Sequence, residues 1–120
     1  MSTDHRDTLA DTPAHTTVLD RRGKPFDVLN ELPHLDPAQA LATVELPLRV
    51  YWSNARTWDL ADPHDRHEAY RTVLREGLAA DIASVVDGDL LLECWDTLFL
   101  PREIRAAWQP LVDAARRPQR

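Results

Sequence analysis

The sequence predicts a mainly α protein: a compact four-helix C-terminal unit, preceded by a small β-hairpin and a polar N-terminal tail. Three observations lead there. The run from Glu68 to Trp108, EAYRTVLREGLAADIASVVDGDLLLECWDTLFLPREIRAAW, holds most of the apolar side chains that recur at helical spacing. Gly, Pro and an Asp-Gly pair punctuate that run at short-helix intervals. Ahead of it, LPLRVYWS is β-branched and aromatic, whereas the start of the chain is polar and aperiodic.

Taken in order, residues 1–16 are expected to form a flexible polar tail, followed by one mostly helical domain over 17–120. The same composition suits an arm that folds on a partner. Thr17 to Asp20 reads as a short strand, and Arg21-Arg22-Gly23-Lys24 as a turn. Pro25 to Leu32 reads as a weak helix, with Phe26, Leu29 and Leu32 at i, i+3 and i+6. At Asp36-Pro37 an N-cap acceptor precedes a first-turn proline, which starts a short helix to about Thr43. Leu46 to Ser53 is the first strand of the expected hairpin, with Pro47 suited to an edge. Asn54-Ala55-Arg56 supplies the turn, and Thr57 to Leu60 the return strand. A lone two-stranded ribbon is marginal, so it must lie on the helices or join another chain's sheet. Trp52 and Trp58 are the side chains expected to pack it down.

Four helices follow. Asp62-Pro63 repeats the cap-plus-proline signal, and Ala69, Tyr70, Val73 and Leu74 make one stripe up to Gly77, a left-handed stop. Ala79 to Val86 is a second, short helix, closed by a turn at Asp87-Gly88. Asp89 to Phe99 is apolar nearly all round and so is expected to be buried. It is far shorter than the roughly 20 residues a membrane span needs. Leu100-Pro101 opens the fourth helix, where Ile104, Trp108, Leu111, Val112 and Ala115 keep helical spacing. Pro110 removes a ladder bond within it, which predicts a kink or a fresh start at Gln109-Pro110.

Bulk properties narrow the function. The net charge is −6 over 120 residues, which disfavours a polyanion as the main partner. Cys94 is the single cysteine, so no internal disulfide forms, in keeping with a cytoplasmic protein. The first residues lack the apolar core and basic start of a secretory signal. Three glycines provide no phosphate-cradling loop, and Ser2, Ser53 and Ser84 stand in no nucleophile-elbow context.

Several side-chain groups are of types that can carry chemistry. His64 and His67, at i and i+3, could share a metal, but a polar first turn explains them as well and no metal ligand is assigned. Cys94 sits in an apolar run and reads as a structural thiol. Asp81, Asp87, Asp89, Glu93 and Asp96 alternate with apolar positions, as a solvated surface does. Leu78 to Thr97 has the rhythm of a helix-turn-helix, yet its second helix is acidic and carries no Arg or Lys. A DNA-binding surface would have to use Arg71, Arg75, Arg102 and Arg105 instead. No catalytic or cofactor-binding residue emerges, so no cofactor is expected.

The runs TWDLADPHDRHEAYRTVLREG, DIASVVDG and LLECWDTLFLPREIRAAWQPLV carry a resemblance. With Asp27 and Val28, they resemble a group of short actinobacterial proteins encoded beside nucleotidyltransferase-type toxins of the AbiEii class. The likeness covers Asp27, Val28 and Val50 to Val112 and leaves the tail outside. It implies an antitoxin-like role toward a partner protein encoded next to it, and names no toxin-binding residue. Negative charge, polar arm and missing catalytic site agree with a non-enzymatic partner that masks a basic, nucleic-acid-using protein. Trp52, Arg56 and Trp58, with the tail, are the expected contacts. A DNA-binding regulator acting through Arg71 and Arg75 is the alternative, and a small enzyme built on His64 and His67 a third reading.

Overall fold

The computed structural model describes residues 12–46 and 56–117. Its first element is an antiparallel hairpin of β1 (His15–Leu19) and β2 (Pro25–Leu29), in register from His15 opposite Leu29 to Leu19 opposite Pro25. The turn is built by Asp20, whose Oδ1 accepts the N–H groups of Arg22 (2.8 Å) and Lys24 (2.9 Å). Gly23 closes it at φ 85°, a left-handed value that a side chain would strain. The helix expected over Pro25 to Leu32 is therefore a strand. Phe26 and Leu29, three apart, suit one face of a helix and fall on opposite faces of a strand. The strand accommodates both because both faces of β2 are buried, and the β-branched Thr16, Thr17 and Val18 pair with it. Phe26 through Leu29 are all buried, because β2 packs against three helices. The strand also begins at His15, inside the stretch expected to be tail; residues 1–11 lie outside the described residues.

Asp36 caps the short helix α1 (Pro37–Ala40) by accepting the Gln39 N–H at 3.0 Å. It ends before Thr43, because Thr43–Leu46 is β3, paired antiparallel with β4 (Arg56–Asp59). The strand expected at Leu46 to Ser53 thus starts earlier, and its remainder and the Asn54-Ala55 turn fall outside the described residues. The described residues form two small antiparallel sheets, where the sequence suggested one hairpin.

Asp62 caps α2 (Pro63–Glu76), accepting the Asp65 N–H at 3.0 Å, and the expected stripe of Ala69, Tyr70, Val73 and Leu74 is buried. Gly77 is not left-handed: its φ is −83°. It is needed for space, since a Cβ there would stand 2.7 Å from both Val73 Cγ2 and Val73 O. Helix α3 (Ala79–Val85) follows, then α4 (Gly88–Cys94), capped by Asp87. The expected helix to Phe99 stops at Cys94, passes through a 3-10 turn at Trp95–Thr97, and leaves Phe99 78% exposed. Helix α5 (Arg102–Arg116) runs unbroken through Pro110, so no fresh start occurs there.

Trp58, Trp95, Trp108 and Tyr70 are the largest fully buried side chains, and they fill the space between the helices and the strands. Two buried carboxylates tie elements together. Asp27 on β2 accepts the Thr17 hydroxyl (2.7 Å) and the first N–H of α3, from Ala79 (2.8 Å). Asp87 accepts the N–H groups of Leu35 (2.9 Å) and Leu90 (3.3 Å), while its own N–H donates to the Tyr70 hydroxyl at 2.9 Å. Both buried carboxylates are thereby matched, as burial requires.

Candidate functional site

The β1–β2 turn, the last turn of α2 and the first turn of α5 meet around a cleft of about 500 Å³. Long-range ion pairs hold the three together. Arg21 Nε lies 3.2 Å from Glu103 Oε2, and Lys24 Nζ lies 2.7 Å from Glu76 Oε1. The β1–β2 register sends the turn toward the helices, and Asp20 fixes its shape.

The lining is strongly cationic for an acidic protein. Arg21, Arg22, Lys24, Arg75 and Arg102 line it, against the carboxylates of Asp20 and Glu103. Both carboxylates are turned inward to local donors. The Lys24 N–H holds the Asp20 carboxyl below its ordinary value, helped by that of Arg22. Glu103 is held low by its own backbone N–H, with the Arg21 N–H and side chain adding to this. Among the described residues no carboxylate pairs with the guanidinium of Arg22 or Arg102. The buried side chains of Phe26 and Ile104 supply an apolar floor, with Pro25 and Pro101 beside them. The lining holds no thiol, imidazole or hydroxyl side chain.

Large apolar side chains stand close by in the chain. Leu19 (63% exposed) adjoins Asp20, and Phe99 lies two residues before Pro101. Single exposed apolar side chains are common on folded proteins, and Leu19 and Phe99 gain interest only from their nearness in sequence to the cleft.

The residues singled out from the sequence fall elsewhere. Trp52 lies outside the described residues, and Arg56 opens β4 opposite Leu46. Trp58 is 2% exposed, so it is a core side chain and not a surface anchor. The alternation along β4 explains this: Thr57 and Asp59 face out while Trp58 and Leu60 face in. His64 is exposed and His67 half-buried on α2. Among the described residues, no three His, Cys, Asp or Glu side chains converge to hold a metal ion. His67 and Cys94 line one shallow cavity, but burial pushes the Cys94 thiol up, which suppresses the thiolate.

The arginines proposed for DNA are split. Arg71 pairs with Glu68, whose carboxyl it holds below the ordinary value. Arg105 donates to the carbonyls of Trp95 and Leu98 and lies 4.6 Å over the Trp95 ring, a structural brace. Only Arg75 and Arg102 reach the cleft. Helix α4, the would-be recognition helix, shows Asp89 and Glu93 to solvent and buries Leu91. The acidic set is equally divided: Asp87 is a buried cap, Asp81 accepts the Leu78 N–H at 2.9 Å, and Asp96 pairs with Arg116.

Arg21, Arg22, Lys24 and Phe99 are the residues that sequence reasoning passed over. The signal was present, since the RRGK turn is the densest basic stretch of the chain. Reading Pro25 to Leu32 as a helix removed the hairpin that aims this turn at α5. No family model, curated protein or solved structure matches this chain. No helix among the described residues is long and apolar enough to cross a membrane.

Proposed function

We propose that the protein is a non-enzymatic binding partner of another protein, antitoxin-like, and that it neutralises or regulates a nucleotidyltransferase-type protein encoded beside it. One observation carries the binding reading: Phe99 and Leu19 are left exposed at the ends of segments that frame an arginine-rich cleft. Aromatic and arginine side chains are the types most enriched where proteins dock. The antitoxin part draws on the resemblance of the helical region and on the acidic balance of the chain, which suits a basic partner. It acts in the cytoplasm in this reading, without cofactor or metal.

Co-expression with the neighbouring gene, followed by affinity capture and size-exclusion chromatography, tests it. Stable co-elution, together with loss of the neighbour's toxicity in cells, is expected. Phe99→Ala should weaken that complex about 10-fold or more, the scale of a hot-spot residue. Elution of this chain alone, beside a harmless neighbour, would discard the proposal. A complex indifferent to Phe99→Ala and Leu19→Ser would move the contact to another face.

A further inference from the structure

We infer that the cleft between the β1–β2 turn and the start of α5 is a binding site for an organic phosphate, a phosphomonoester carrying an apolar or aromatic group. This goes beyond the partner-binding reading and does not rest on it, because the site is complete within one chain.

The charge pattern argues first. A chain of net charge −6 gathers five of its fourteen Lys and Arg side chains around one cleft of about 500 Å³. They arrive from three separate segments: the hairpin turn, α2 and α5. Placing like charges together is unfavourable by itself, and internal carboxylates, solvent screening or a bound anion relieves it. The internal carboxylates are too few and already engaged. Glu103 accepts from Arg21, Glu76 from Lys24, and Asp20 serves the backbone of its own turn. Arg22 and Arg102 line the cleft without an ion pair to a carboxylate among the described residues, although the Arg22 charge helps to lower the Asp20 carboxyl.

The chemistry of the donors argues for phosphate. Guanidinium groups present a planar fork that matches a phosphate in a bidentate way and remain charged at any physiological pH. The ion pairs to Glu103 and Glu76 fix Arg21 and Lys24, so part of the cation set is held in place before an anion arrives. The floor then selects the rest of the ligand. Phe26, Ile104, Pro25 and Pro101 form an apolar base that inorganic phosphate would not cover. The cavity volume lies within the range of small-molecule sites, about 300–1,000 Å³.

Phenyl phosphate is the probe, titrated into the full chain and followed by amide chemical shifts and calorimetry. Saturable shifts at Arg22, Lys24, Arg102 and Glu103, with at least 10-fold tighter binding than inorganic phosphate, are expected. The double variant R22A/R102A should lose at least 10-fold in affinity while keeping the wild-type Tm. R22E should lose binding outright, and Arg22→Lys should retain part of it. No saturation at millimolar probe overturns the inference. So does equal binding of phenyl phosphate, inorganic phosphate and sulfate, which marks bare electrostatics. Binding of a single-stranded oligonucleotide through these residues, with phenyl phosphate inert, would overturn it too and make the cleft a backbone-tracking surface.

Discussion

At the scale of single residues, two side chains show how narrowly the core is fitted. The Tyr70 hydroxyl accepts the buried Asp87 N–H, which joins α2 to the cap of α4. Tyr70→Phe leaves that N–H without an acceptor and should destabilise by about 1–3 kcal/mol, read from urea unfolding. Burial also pushes the Tyr70 phenol up to about 12 from 10.0. A raised pKa contributes stability that is complete below the unfolded value and lost as pH rises through the folded one. The wild type should therefore weaken between about pH 10 and 12, and Tyr70→Phe should flatten that limb; identical alkaline profiles would refute the assignment. Gly77 makes a different point. Its φ of −83° suits any residue, yet an added methyl meets Val73 Cγ2 and O at 2.7 Å. Gly77→Ala should cost about 1–3 kcal/mol by overpacking. Adding Val73→Ala should not restore stability, because the carbonyl clash persists. Recovery in the double variant would show that the methyl clash alone matters.

Elements were legible where caps and stripes coincide. Asp36-Pro37 and Asp62-Pro63 mark helix starts correctly, because an N-cap carboxylate and a first-turn proline act locally. The buried stripe of α2 was equally readable from spacing alone. What was hidden depends on neighbours far along the chain. Phe26 and Leu29 stand at helical spacing, and the strand wins through the pairing of Phe26 with Val18 and Leu29 with His15 and through burial of both faces of β2. The apolar run after Asp89 is continuous in sequence, but Arg105 from α5 takes the Trp95 and Leu98 carbonyls where the helix has ended, ahead of the exposed Phe99. The cleft suffered most, since it exists only through Arg21–Glu103 and Lys24–Glu76 contacts between distant segments. Pro110 yields a prediction at this scale. It is exposed within α5, and the ring withholds one ladder N–H without ending the helix. Interior proline is about 3 kcal/mol less favourable than alanine. Pro110→Ala should raise stability, by less than that because the unfolded chain also gains freedom. A lower Tm would mean that α5 needs the bend the proline imposes.

For the whole molecule, charge is distributed in a way that makes acid the natural denaturant. The chain is acidic overall, and three of its carboxylates do structural work: Glu103 holds the hairpin turn to α5, Asp20 shapes that turn, and Glu68 pairs with Arg71 within α2. Each of these three is depressed below its ordinary value, Glu68 chiefly by its bond to Arg71. A depressed pKa contributes stability present above the unfolded value and lost as pH falls through the folded one. The unfolded references are 3.8 for Asp20 and 4.5 for the two glutamates, so the loss begins as pH drops below about 4.5 to 5. Exposure and solvent screening keep each share small, and the limb should be shallow at first and steepen as the three protonate together. Thermal melts at pH 7, 5, 4 and 3 measure it. Glu68→Gln should lower Tm at pH 7, and its gap to wild type should narrow as pH falls through the lowered Glu68 value and the wild-type glutamate loses its charge. A constant gap across that range would show that Glu68 acts through packing of its stem, and that the acid limb originates in other carboxylates.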